Sequence, residues 1–152
     1  MSPERALRNF SNRIERGNLR NLTLTIYYRD VSTSPFFLSV EDLVGRGWYD
    51  HKIVVDGNEL EEHIELLQLI NANNLTPFTH PLPMHATLYY VFEVNGRKIF
   101  GVVPQPGRNN SSMFINDVEF EWNDAFFDVI RPFLPEDEVR NWDASLQEWH
   151  EE

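Results

Sequence analysis

Asn95-Gly96 lies between two alternating, strand-like stretches, residues 87–94 and 97–103. A two-residue turn between antiparallel strands needs positive φ at both of its residues, and Asn followed by Gly reaches that conformation at the lowest steric cost. The pair predicts a hairpin and makes the middle of the chain antiparallel sheet. Asn116-Asp117 repeats the signal between residues 113–115 and 118–122. Two more stretches read as strands. In 22–28, Leu22, Leu24, Ile26 and Tyr28 share one face while Thr23, Thr25 and Tyr27 share the other. Residues 52–55 form a shorter one, closed by Asp56-Gly57.

Helical signals surround these strands. Ser2 is a suitable N-cap and Pro3 a suitable first residue for a helix over 3–16, with Leu7, Phe10 and Ile14 on one face and Gly17 as its stop. Ser39-Val40-Glu41-Asp42 resembles a capping box and predicts a short helical turn to Val44. Asn58, with Glu61 three residues on, is read as the cap of a second helix whose stripe is Leu60, Ile64, Leu67 and Asn71. Pro77, Pro81 and Pro83 rule out a regular element over 75–85. Asn123 is expected to cap a helix carrying Phe126, Phe127, Ile130 and Phe133, bent or ended by Pro132. Pro135 opens a last helix with acids in its first turn. The expected fold is α+β: a mainly antiparallel sheet of about five to six strands with three to four helices packed beside it, in a single globular domain over 1–152.

The chain contains no cysteine, which excludes disulfides, thiolate metal sites and a cysteine nucleophile. The opening residues lack the apolar run of a signal peptide, and no stretch reaches the roughly 18 apolar residues of a spanning helix. A cytoplasmic protein with no membrane contact is therefore expected. Net charge is −11, unevenly spread. Residues 1–20 carry Arg5, Arg8, Arg13, Arg16 and Arg20 against two glutamates, whereas residues 117–152 carry twelve acids against two arginines. Such a balance argues against general nucleic-acid binding and would steer a basic protein partner towards the C-terminal third. The N-terminal arginines read either as a solvated helix face, as phosphate contacts, or as internal partners of the acidic last helix.

No phosphate loop, nucleophile elbow, zinc-protease pair or calcium loop is present, and Gly45-Arg46-Gly47 departs from the dinucleotide fingerprint after its second glycine. His80 and His85 share a loop, but their spacing across two prolines matches no zinc pattern. Glu59 and His63 stand at i and i+4, a spacing more usual for a surface contact than for proton transfer. The densest functional chemistry is Trp48-Tyr49-Asp50-His51. There a histidine and its neighbouring acid would point to opposite sides of a strand and so would not form a dyad.

Two functions from different classes follow. The first is a small acidic protein that binds or inhibits a basic protein, as an immunity protein does. Its contact residues would be Trp48, Tyr49, Glu136, Asp137, Glu138, Trp142 and Trp149, since tryptophan is favoured in such contacts. The second is a small-ligand pocket or an unfamiliar enzyme site lined by aromatic residues with His51 and His85. No catalytic residue, metal or cofactor is assigned from the sequence, and the balance leans away from an enzyme.

Overall fold

The computed structural model describes residues 2–29, 37–79, 83–105 and 111–151, with the backbone alone for 74 and 145–151. Six strands form one sheet: β1 (Leu22–Tyr28), β2 (His51–Asp56), β3 (Leu88–Val94), β4 (Arg97–Gln105), β5 (Ser112–Ile115) and β6 (Val118–Glu121). Their order is β2-β1-β3-β4-β5-β6, and every neighbouring pair is antiparallel. The α+β expectation holds. Both hairpin turns have the backbone their sequences call for. Asn95 and Gly96 have φ of 53° and 80°, and Asn116 and Asp117 have 48° and 69°.

The helices pack on one face. They are α1 (Pro3–Glu15), α2 (Gly57–Glu61), α3 (Ile64–Leu67), α4 (Ala125–Asp128) and α5 (Glu136–Glu151). Ser2 caps α1 by accepting from the Arg5 amide at 3.3 Å, and Gly17 leaves the helix at φ 67°. The predicted stripe of Leu7, Phe10 and Ile14 is buried. Phe10 meets Phe92 at 4.7 Å and Phe100 at 5.0 Å between ring centroids, which seats α1 over β3 and β4. Leu24, Ile26, Tyr90, Val102 and Ile115 complete this core from the sheet, and Leu60, Leu67, Phe126 and Phe127 from the helices.

Three helical expectations are corrected. The second helix is capped by Asp56, whose carboxylate accepts from the Glu59 amide at 3.0 Å, and not by Asn58. It also breaks at His63 (φ −120°, ψ 29°) into α2 and α3, so the continuous stripe to Asn71 is not realised. The break turns the His63 ring edge-on to Phe133 at 5.1 Å, a contact that packs the α2–α3 segment against the chain just before α5. The helix expected after Asn123 is a single turn, α4, followed by a 3-10 turn at Arg131–Phe133, because Pro132 cannot donate the amide that a continuing helix needs.

Among the described residues, the opposite face of the sheet is covered only in part. The Ser39–Asp42 capping box forms as expected. Asp42 N donates to Ser39 Oγ, and Ser39 N donates to Asp42 Oδ2, both at 3.1 Å. It starts a π-helical turn, Glu41–Gly45, whose Leu43 is buried with Ala86, Tyr89, Val91, Val103 and Phe114 in a second, smaller cluster.

Candidate functional site

The two edges of the sheet differ. The β6 edge is met by the segment before β3: Pro77 bridges to Phe120, and the Glu121 amide donates to the Thr76 carbonyl at 2.8 Å. No strand among the described residues pairs with the outer edge of β2. A free edge strand presents a row of backbone donors and acceptors that another extended chain can pair with. Val54, at the centre of β2, is 60% exposed. A groove of about 580 Å³ runs beside this edge, lined by Val54, Asp56, Asn58, Glu59 and Glu62. Every ionisable group in that lining is a carboxylate. Two local features build the groove. The antiparallel pleat places Lys52, Val54 and Asp56 on the side away from the helices, and the tight Asp56-Gly57 start of α2 brings Glu59 and Glu62 back beside the strand.

The second acidic surface is the start of α5. Glu136 and Asp137 are exposed, whereas Glu138 is half-buried and accepts from the Trp142 indole at 3.0 Å. Asp137 pairs with Arg140. Trp142 itself lies on Phe127, with 5.4 Å between ring centroids, so its indole is committed to seating α5. Arg131 completes that seating with Asp143 at 2.6 Å and Asp128 at 3.1 Å. Among the described ion pairs, the acids of α5 are met by Arg131 and Arg140, not by the arginines of α1. The side chain of Trp149 lies outside the described residues.

The residues from Trp48 to His51 are divided between the two faces. Trp48, 43% exposed, sits in the turn before β2 with the Arg46 guanidinium 5.7 Å from its ring. Tyr49 is half-buried and meets Tyr27 edge-on at 5.1 Å, on the face away from the helices. His51 pairs in register with Tyr28 and stacks on its ring at 4.6 Å, on the helical face. His85 is elsewhere. Its Nδ1 accepts from the Leu38 amide at 3.1 Å, and its own amide donates to Gln105 Oε1 at 2.9 Å. Partial burial, and then the Arg29 charge, hold this imidazole below the ordinary histidine range. A ring whose Nδ1 is an acceptor in a fixed hydrogen bond is a structural histidine that works in its neutral form. His80 lies outside the described residues.

A separate hollow of about 270 Å³ opens on the face away from the helices, over Tyr89 and Gly101, with Glu41, Lys98 and Asp117 in its lining. Burial first, then the charges of Asp117 and Glu93, push the Tyr89 phenol well above its usual range, so it stays protonated. The hollow is lined by none of the histidines and tryptophans that the sequence brings to attention. Among the described residues, no group of three or more histidine or acidic side chains is placed to hold a metal ion.

Glu136, Asp137 and Glu138 stand out in the sequence as a contact surface, whereas Asp56 and Glu59 stand out only as a turn residue and as a neighbour of His63, and Glu62 not at all. A signal for these carboxylates beside β2 was present, since residues 53–96 hold six acids and not one lysine or arginine. No helix among the described residues is long and apolar enough to cross a membrane. In comparison with known proteins, no family model, no curated protein and no solved structure matches this chain.

Proposed function

We propose that this chain binds a basic protein, whose extended segment lies along the outer edge of β2, and that it acts by occupying that partner as an inhibitor or immunity-type protein does. The observation that carries the reading is the groove beside β2, where a strand edge that no described strand pairs with and the exposed Val54 adjoin Asp56, Glu59 and Glu62. Main-chain pairing supplies affinity that is indifferent to sequence, and the carboxylates select lysine and arginine in the partner. Six residues of β2 offer an edge of about 20 Å. Trp48 stands before one end of that edge and the acidic groove lies towards the other, so an aromatic anchor and a charge filter bracket one extended peptide. Glu136 and Asp137, beyond the His63–Phe133 contact, extend the negative field that steers the encounter. We infer a cytoplasmic setting, in which a chain without cysteine is insensitive to the reducing environment.

The test uses two charge-reversed variants beside the wild type: Asp56→Lys with Glu59→Lys and Glu62→Lys, and Glu136→Lys with Asp137→Lys. Each is immobilised and exposed to native lysate at low and moderate salt, and retained proteins are identified and ranked by isoelectric point. A stoichiometric basic protein is expected on the wild type, weakened by the α5 variant and by salt, and absent from the groove variant. Retention of the same proteins by the groove variant, or of no basic protein by the wild type, overturns the reading.

A further inference from the structure

The geometry points to a second site of opposite sign: a cleft between α1 and the β3–β4 hairpin that takes a small organic phosphate. The cleft has a volume of about 500 Å³ and is lined by Asn9, Arg13, Val94, Asn95, Arg97, Lys98 and Ile99. All of its ionisable groups are cations, in a chain whose net charge is −11.

Three features assemble it. Phe10 packs on Phe92 and Phe100 and so fixes α1 over this hairpin. Asn9 and Arg13, one helical turn apart, then share the side of α1 that faces the strands' turn. The Asn95-Gly96 turn brings Arg97, in register with Val94, to the same cleft, and Lys98 borders both this cleft and the hollow on the opposite face. Val94 and Ile99, both half-buried against the main core, form an aliphatic floor under this cationic rim.

The cations are available. Arg46, Arg131 and Arg140 each pair with an aspartate, but Arg13, Arg97 and Lys98 pair with no carboxylate among the described residues. Two guanidinium groups suit a phosphate, which accepts paired hydrogen bonds from an arginine fork, and Lys98 at the border adds positive charge. The aliphatic floor favours an ester over the bare ion. The net negative charge does not forbid the site, because screening at physiological salt confines the contest to charges within about 8 Å. The carbonyls at the C-terminal end of α1, which would repel an anion, are already engaged: Asn12, Arg13 and Ile14 accept from the amides of Arg16, Asn18 and Gly17.

The site is independent of the acidic groove and needs a ligand of opposite charge, so either reading can fail alone. Its test is a titration of the full chain, by calorimetry and by amide chemical shifts, with phenyl phosphate, inorganic phosphate and phenol. Phenyl phosphate is expected to bind more tightly than inorganic phosphate, phenol not at all, and the shifts to centre on Asn9, Arg13 and residues 94–99. Arg13→Ala and Arg97→Ala, both on exposed or half-exposed side chains, should leave the melting temperature unchanged and each weaken phenyl phosphate about tenfold. Unchanged affinity in both variants, equal affinity for the two phosphates, or shifts spread over all the arginines of α1 would overturn the assignment, as would no binding.

Discussion

Gly101 offers a test of how the face away from the helices is built. Its φ is ordinary, so space and not backbone freedom explains the glycine. A methyl group there would sit 2.3 Å from Tyr89 Oη and 2.7 Å from Cε1 and Cζ of the same ring. Carbon contacts settle near 3.5–4.0 Å, so the ring must retreat by about 1 Å. It cannot do so freely, because Tyr89 is buried with Val91, Val103 and Phe114 and stacks on Tyr27 at 6.3 Å. Overpacking of this kind costs about 1–3 kcal/mol, against a gain of about 0.5–1 kcal/mol for replacing a strand glycine by alanine. Gly101→Ala should therefore lose about 1–2 kcal/mol net and lower the melting temperature by about 2–8 °C. The decisive measurement is a double-mutant cycle by urea unfolding. With Tyr89→Ala already in place the methyl has room, and Gly101→Ala should become neutral or slightly stabilising, a coupling of about 1–3 kcal/mol. An equal loss in both backgrounds refutes the argument, since the cost would then lie in the backbone or in the hydrogen bond that the Gly101 amide donates to Asn116 Oδ1.

Two further outcomes are expected. Tyr90 is fully buried and its hydroxyl donates to the Phe126 carbonyl, so Tyr90→Phe should strand that carbonyl and cost about 1–3 kcal/mol by thermal or urea unfolding. His85 is held neutral in the fold, with its pKa below the unfolded value of 6.5. The unfolded chain therefore binds the extra proton first, and stability should fall as pH drops from above 6.5 towards the folded pKa. His85→Asn can still accept the Leu38 amide without titrating and should flatten that part of the pH–stability curve; a curve identical to wild type would show that His85 is not responsible.

What the sequence makes legible is what is local. Asn95-Gly96 and Asn116-Asp117 specify both tight hairpins, because positive φ at two consecutive residues is a property of the residues themselves. Ser39 and Asp42 form their reciprocal cap for the same reason. The core stripe Leu60, Ile64 and Leu67 faces inward as its spacing requires, yet the helix beneath it breaks at His63, where the contact with Phe133 comes from a segment seventy residues away. Strand order is of that second kind. Alternation in β1 and β2 fixes which side chains face the core, but that β2 pairs with β1 and with no other strand among the described residues depends on the whole set of pairings. The acidic groove inherits this, since Val54 reads as an ordinary strand valine until β2 is placed at the end of the described sheet.

Among the described residues the two charged surfaces do not cancel each other, and the apolar contacts show why. An acidic last helix and an arginine-rich first helix could have neutralised one another. Instead α1 is committed by Phe10 to β3 and β4, and α5 is committed by Trp142 and Arg131 to α4. Each helix is oriented by its apolar contacts, and the charges go where those contacts leave them. Arg131 and Arg140 then satisfy acids on or beside α5, and Arg13 of α1 shares its cleft with Arg97. Because salt screens each patch beyond about 8 Å, a ligand responds to the local lining and not to the net charge of −11. On the two proposals, a cationic strand at β2 and an anion at the β3–β4 turn would bind as separate events, with the apolar core deciding where both surfaces lie.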